Sequence, residues 1–289
     1  MNSMDLVPTR PNPPHPDSSF VQLWLGTKVS IHTRRAYRTE IVRFFEFAQK
    51  PLDRITLADL QAYSQFLGQG SLQPASQNRA LTAIKSLLSF GQEVGFLPFN
   101  VGAAVKLHPN PDGLAQRILA ESEVARLIDR APAGRDQVLL RLLYTSGVRV
   151  SELARLRWRD AMPRLEGGQI TVFGKGGKTR TILLKPKTWE RLMALRGAAE
   201  LADPIFRSRK GGHLDASQIR RIVYASARRA GLAKKISPHW LRHAHASHAL
   251  DRHAPIHLVQ ATLGHASVST TGRYLHARPS ESSSLYLPE

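Results

Sequence analysis

The sequence contains no cysteine. It therefore has no disulfide framework, no thiolate nucleophile and no cysteine-ligated zinc. No apolar run approaches the roughly 20 residues of a membrane-crossing helix. The first residues hold five prolines between positions 8 and 16 and no apolar core behind a basic start, so they do not read as a secretion signal. A cytosolic setting on the nucleoid, away from membranes, is the expectation. Acidic residues are also scarce: 22 Asp plus Glu stand against 41 Lys plus Arg, a formal charge of +19 over 289 residues. Two-metal nucleases and transposases need clustered carboxylates, and beyond Asp160 the acids are few and scattered. No His-Glu-x-x-His segment occurs, and the Gly174–Thr179 stretch fails as a phosphate loop because Val172 stands where that motif needs glycine.

What is present is positive charge, unevenly placed. Residues 1–110 hold 11 basic and 7 acidic residues, whereas residues 111–289 hold 30 and 15. Such an excess points to a polyanion, with DNA or RNA first. The apolar pattern divides the chain similarly. Residues 1–16 read as a disordered leader. Four helical patterns follow, around Phe20–Trp24, over Ile31–Gln49, from a Thr56 cap to Leu67, and over Ser76–Val94, with no strand signal between them. Residues 17–106 thus read as a small helical domain and 107–117, rich in Pro, Asn and Gly, as a linker.

From 118 to 278 the pattern is mixed. Helices are expected near 121–130, 135–145, 151–158, 187–199 and 215–230, then over 237–250, 255–263 and 267–276. Ser237-Pro238 supplies a cap and a first-turn proline. Two alternating runs, Gln169–Phe173 and Thr179–Leu184, flank Gly174-Lys175-Gly176-Gly177-Lys178 and read as a hairpin with a basic tip. Residues 279–289 form a Ser-rich tail.

Phosphoryl transfer without metal needs cations for the phosphate, a nucleophile and a proton donor. Three clusters offer them. Arg149 opens a short helix with Glu152 three residues on, placed to hold it; alone this pattern reads rather as a surface ion pair. Lys175 sits at the hairpin tip; alone it is a solvated turn lysine. The third cluster joins Pro238-His239-Trp240-Leu241-Arg242-His243, Leu263-Gly264-His265 and Thr270-Thr271-Gly272-Arg273-Tyr274. His239 lies in a first turn, where the helix dipole disfavours its protonated form and suits it to accept a proton. His243, His245, His248 and His253 crowd the same helix; no cysteine or suitably placed acid accompanies them, so they do not read as a zinc site.

In order and spacing these segments resemble the tyrosine recombinase, or phage integrase, family, and within it the Xer-like bacterial branch. The resemblance covers residues 17–276. It implies a mainly α fold with a small β-sheet: an N-terminal helical core-binding (SAM-like) domain followed by a tyrosine-recombinase catalytic domain, the two wrapping opposite faces of a duplex. It implies an active site of Arg149, Lys175, His239, Arg242, His265 and Tyr274, supported by Glu152. Tyr274 would attack a backbone phosphorus, the arginines and His265 would hold its oxygens, His239 would take the tyrosine proton, and Lys175 would protonate the leaving 5′-oxygen. No cofactor is expected.

The implied partner is double-stranded DNA with inverted-repeat half-sites, bound by a tetramer, with a related recombinase or an accessory protein as further partners. Arg34, Arg35, Arg38, Arg79, Lys85, Lys178, Arg180, Arg220 and Arg221 are further candidates for DNA contact. Tyr286, in the tail, lacks the Thr-Thr context of Tyr274 and reads as a decoy. His253 stands in a turn where this family more often has glycine, which implies local backbone strain. A type IB topoisomerase or a hairpin-resolving enzyme would use the same intermediate, and a DNA-binding regulator would share the charge alone.

Overall fold

The computed structural model describes residues 17–109, 113–174 and 177–277. The chain divides into two compact units between residues 111 and 112. The expected leader, the hairpin-tip residues 175 and 176, and the tail with Tyr286 lie outside the described residues. No described helix is long and apolar enough to cross a membrane.

The first unit is helical: α1 (Ser18–Gly26), α2 (Ile31–Ala48), α3 (Leu57–Gln69) and α4 (Pro74–Glu93). The 3.6-residue repeat puts Trp24, Phe44, Tyr63, Leu67, Leu87 and Leu88 on facing stripes, all fully buried in one core. The expected start of α3 is realised as a reciprocal cap. Thr56 Oγ1 accepts from the Asp59 amide at 3.3 Å and Asp59 Oδ2 accepts from the Thr56 amide at 2.9 Å. α4 starts two residues earlier than the apolar pattern suggests, because Pro74 is preorganised for a first turn. His108, expected in the linker, is tied to this unit: its amide and carbonyl exchange hydrogen bonds with the Asn78 side chain at 2.8 Å each.

The second unit contains α5 (Glu121–Asp129), α6 (Arg135–Ser146), α7 (Val150–Arg155), α8 (Pro186–Met193), α9 (Ala216–Arg229), α10 (Pro238–Asp251), α11 (Ile256–Leu263) and α12 (Val268–Ala277). A three-stranded antiparallel sheet, β1 (Ala161–Pro163), β2 (Gly168–Phe173) and β3 (Thr179–Leu184), has strand order β1-β2-β3. The predicted hairpin is β2–β3, in register from Gly168 opposite Leu184 to Phe173 opposite Thr179. Gly168 is required by packing, since a Cβ there would sit 2.1 Å from the Trp189 ring.

Three differences from expectation have local causes. β1 is too short to show an alternating pattern. α8 ends at Met193 rather than near 199, and the chain turns through Gly197 at φ +50°. α10 starts at Pro238 as predicted, but the Ser237 side chain makes no capping bond. The main core is built around α6, whose Leu139, Leu140, Leu142 and Leu143 are fully buried. A smaller core joins Leu114, Ile118, Ala246, Leu250, Val259, Leu263 and Tyr274, so Leu114, expected in the linker, instead packs with α10, α11 and α12.

Candidate active site

Helices end in carbonyls that lack intrahelical partners and carry the negative end of the dipole. α11 ends at Gly264 in the left-handed region, φ +64°. Its last three carbonyls each take one guanidinium. Thr262 O accepts from Arg180 Nε at 2.6 Å, Leu263 O from Arg242 Nη2 at 2.7 Å, and Gly264 O from Arg149 Nη2 at 3.2 Å. α6 ends in the same way at Gly147, φ +59°, whose carbonyl accepts from Arg242 Nη1 at 2.5 Å. A Cβ on Gly147 would lie 2.8 Å from both His245 and Leu263, so the turn admits only glycine on steric as well as conformational grounds.

Glu152 gathers two of these arginines. Its Oε1 accepts from Arg149 Nη1 and Arg180 Nη1 at 3.0 Å each, and its Oε2 accepts from Arg180 Nη2 at 2.8 Å and the Arg149 amide at 2.7 Å. Burial pushes the Glu152 carboxyl up, but the bonds from Arg180 and Arg149 outweigh it and the net pKa lies below the ordinary value. Arg242 is different. It is 5% exposed, its hydrogen bonds among the described residues go to carbonyls, and among the same residues no carboxylate is in ion-pair reach of it. Burial first, then the Arg149 charge, pull its pKa down to about 10, so it stays cationic at neutral pH. Three guanidiniums thus stand together with one carboxylate, which pairs with two of them, and the remaining charge suits an anion held in a forked geometry.

The other side of the site is neutral. His239, in the first turn of α10, is exposed; desolvation of its ring and then Arg242, Arg220 and Arg149 lower its pKa. His265 faces Thr271, Nδ1 to Oγ1 at 2.9 Å, and burial followed by the three arginines lowers its pKa to about 4. Tyr274 is 5% exposed, and burial raises its pKa against the opposing effect of Arg242 and Arg273. Its ring lies nearly parallel to that of His265, with centroids 6.4 Å apart. The Tyr274 hydroxyl is hydrogen-bonded to His243 Nδ1 at 2.8 Å. The expected partner, His239, has its ring centre 6.4 Å from that of His243 and no described bond to the tyrosine.

The structure therefore brings together Arg149, Glu152, Arg242, His265 and Tyr274, with His239 at the rim. Lys175 lies outside the described residues. The crowded histidines of α10 diverge: His243 meets Tyr274, His245 Nδ1 meets the Tyr144 carbonyl at 2.8 Å, and His248 Nδ1 meets the Tyr144 hydroxyl at 3.0 Å.

Among the further basic candidates, Arg180 is a correction. It is not a surface contact but a largely buried bridge between Glu152 and α11. Arg79 is bonded twice to Glu40, at 3.1 and 2.8 Å, and Lys85 donates to the carbonyls of Ala103 and Val105. Arg34 donates to the Lys28 carbonyl and Arg38 to Gln22. Arg35, Lys178, Arg220 and Arg221 are exposed. The sequence reading assigned Arg180 a different role, as a DNA contact, and none to His243 or Thr271. For His243 a signal was available: it lies four residues after His239, on the same helix face.

This geometry has counterparts. Residues 117–281 match the model of the phage integrase family, and residues 19–93 that of the phage integrase N-terminal SAM-like domain. Tyrosine recombinase XerC of Xanthomonas campestris pv. campestris is 32% identical over 271 residues, covering 89% of this chain and 82% of the relative. The solved XerA recombinase is 29% identical, with a TM-score of 0.54 over 94% of this chain and 98% of that one. A lambda integrase tetramer bound to a Holliday junction shares the fold at 18% identity, with a TM-score of 0.69 over 87% of this chain and 77% of the other. A buried tyrosine packed beside clustered arginines, in a chain with both of these matched regions and a relative 32% identical over 89% of its length, places this chain in the phage integrase family: it is a tyrosine recombinase.

Proposed function

We propose that Tyr274 attacks a DNA phosphorus held between Arg149 and Arg242. The tyrosine oxygen bonds to phosphorus, the bond to the 5′-oxygen breaks, and a 3′-phosphotyrosyl link remains. A 5′-hydroxyl from a second strand then attacks that link and releases Tyr274, which makes the chain a DNA strand transferase acting in integration, excision or dimer resolution. The observation that supports this most is Arg242, a buried cation whose bonds among the described residues go to carbonyls, close enough to the buried Tyr274 for the two groups to interact electrostatically. A phosphodiester supplies the missing negative charge. His265 donates a further hydrogen bond, Lys175 protonates the leaving oxygen and His239 meets the phosphate from the rim. The phosphotyrosyl link conserves the bond energy, so the cycle needs neither ATP nor a metal.

DNA passes over a wider basic surface. On the second unit, Arg135, Arg209, Lys210 and Arg221 line a concavity of about 500 Å³ that fits a phosphate backbone. Exchange between two duplexes requires four cleavages, which favours a tetramer on paired inverted-repeat sites, the assembly in which lambda integrase meets a Holliday junction.

The test is covalent capture. Wild-type protein and the variants Tyr274→Phe and Tyr286→Phe are mixed with a nicked duplex from which the released 5′ fragment diffuses away, then run on a denaturing gel. Adducts are expected with wild type and Tyr286→Phe, and none with Tyr274→Phe despite unchanged DNA binding. An adduct that survives in Tyr274→Phe and vanishes in Tyr286→Phe would overturn the assignment. A plasmid with two sites separates strand exchange from simple relaxation of supercoils.

A further inference from the structure

The reaction needs a group that takes the Tyr274 proton, and the geometry points to one. We infer that His243 is a catalytic residue: its Nδ1 orients the Tyr274 hydroxyl and receives its proton as the oxygen–phosphorus bond forms. This rests on Tyr274 being the nucleophile.

The Nδ1–Oη distance is 2.8 Å, and this is the described hydrogen bond of that hydroxyl. The phenol is 5% exposed, so water has little access to replace the histidine as acceptor. Both partners sit on packed elements. His243 follows Arg242 on α10, whose adjacent Leu241 and Ala244 are fully buried, and Tyr274 is on α12 in the small core with Ala246 and Leu263. The same stretch of α10 thus carries the phosphate-binding Arg242 and the tyrosine's acceptor one residue apart.

The charges around His243 fit an acceptor that becomes effective only with DNA in place. Burial first, then His239, Arg117, Arg242 and Arg273, hold the free imidazole near a pKa of about 4. Its ring also lies against those of Tyr274 and His239, with centroids 5.7 and 6.4 Å away. The groups that face it are thus cationic or neutral, from α10, from α12 and from Arg117, which precedes α5. In the free protein the imidazole is neutral, and the tautomer with the ring proton on Nε2 leaves Nδ1 to accept the phenol hydrogen, the direction that proton transfer from Tyr274 requires. A phosphodiester seated on Arg242 adds a negative charge to this surrounding and stabilises the imidazolium. The balance is complete: the proton passes from Tyr274 Oη to His243 Nδ1, the phenolate oxygen bonds to phosphorus, and the electron pair of the broken bond leaves on the 5′-oxygen. In the reverse step His243 returns the proton to the departing tyrosine.

Positioning and proton transfer can be separated by one substitution. The side-chain oxygen of asparagine occupies nearly the place of histidine Nδ1, so His243→Asn keeps an acceptor for the hydroxyl but has no basic nitrogen. Single-turnover adduct formation is measured on the nicked duplex for wild type, His243→Asn, His243→Ala and His239→Asn between pH 5.5 and 9, with DNA affinity and thermal melting recorded for each. His243→Asn is expected to fold and to bind DNA as wild type does, while cleaving on the order of 10²-fold more slowly at neutral pH. Its rate should climb toward wild type as rising pH ionises the phenol directly, and His239→Asn should be less impaired. His243→Asn within about threefold of wild type at every pH removes His243 from the proton transfer, as does a defect that pH does not relieve. A loss confined to His243→Ala leaves only positioning and overturns the inference too. Absence of any wild-type adduct at Tyr274 would instead overturn the reading on which it rests.

Discussion

The two sides of the candidate site are stabilised by opposite means. The arginine side is a charged lattice: Arg149, Arg180 and Arg242 are fixed by Glu152 and by the carbonyl ends of α6 and α11. Each guanidinium is held at two or more points, so its orientation is set before any substrate arrives. The tyrosine side is neutral and more sparsely bonded. Tyr274 is held by His243, and His265 by Thr271, each through a single hydrogen bond between a ring nitrogen and a hydroxyl. The difference suits the two tasks proposed for them. Electrostatic stabilisation of a phosphate demands preorganised charge, whereas a nucleophile must move toward phosphorus and back, and a single bond to a neutral acceptor lets it do so.

The largest effect should come from breaking the charged lattice. Glu152 has a side chain only 2% exposed, and removing it leaves Arg149 and Arg180 facing Arg242 with no carboxylate between them. Breaking a buried pair from one side costs about 3–5 kcal/mol. Glu152→Ala should lose that much in denaturant unfolding. A loss below about 1 kcal/mol would mean that solvent already screens the cluster and that the lattice is weaker than its geometry suggests.

Acid should act on the neutral side instead. His243, His245 and His265 have folded pKa values of about 4, against an ordinary value near 6.5. Their folded values are depressed, so the unfolded chain binds more protons below pH 6.5. The stability they contribute is present above about pH 6.5 and is lost as pH falls toward 4. Each contributes a little under about 2 kcal/mol to the decline between pH 7 and 5, about 5 kcal/mol for the three together, and solvent screening at the part-exposed rings brings the expected total to about 3–5 kcal/mol. Glu152, whose pKa is also depressed, contributes its loss at lower pH, in the carboxylate range. Stability measured across this interval in His243→Asn should fall less steeply than in wild type, by the share of one histidine. Equal slopes would show that the Tyr274 contact tolerates a charged ring.

The arginine side was partly legible in the sequence and the tyrosine side less so. Arg149 with Glu152 three residues on is a local pattern, and the structure realises it within one helical turn. Arg180 was misjudged for a physical reason. Alternation in β3 does not say that a strand residue will reach across to the end of α11, more than 80 positions later, where an unpaired carbonyl waits. The role of Gly264 likewise depends on tertiary contact, since a glycine after a helix announces a cap but not which cations use it. His243 and His239 share a helix face, and a periodicity argument cannot tell which of the two meets a tyrosine 31 or 35 residues away. The helices themselves were legible because their apolar stripes are long, while β1, with three residues, carries no period to read.

The smallest effect tests the element that both sides share. α10 carries Arg242 and His243, and it ends through His253 in the left-handed region at φ +59°. Two bonds close that end: the His253 amide donates to the Leu250 carbonyl at 2.8 Å, and the Ala254 amide donates to the Ala249 carbonyl at 3.0 Å. This is the arrangement in which glycine is the usual residue, because a Cβ at such a φ costs about 1–2 kcal/mol. His253→Gly relieves that strain but loosens the unfolded chain, which returns about 0.4–1 kcal/mol. The net expectation is a gain of about 0.5–1 kcal/mol, or roughly 1–4 °C in melting temperature for a unit of this size. His253 contacts neither Arg242 nor Tyr274 in the described bonds, so adduct formation should be unchanged. A more stable variant with normal cleavage would show that the end of α10 is strained independently of the site. A more stable variant that cleaves more slowly would mean that the strained end lets α10 shift during the reaction, and that the two sides of the site are coupled through it.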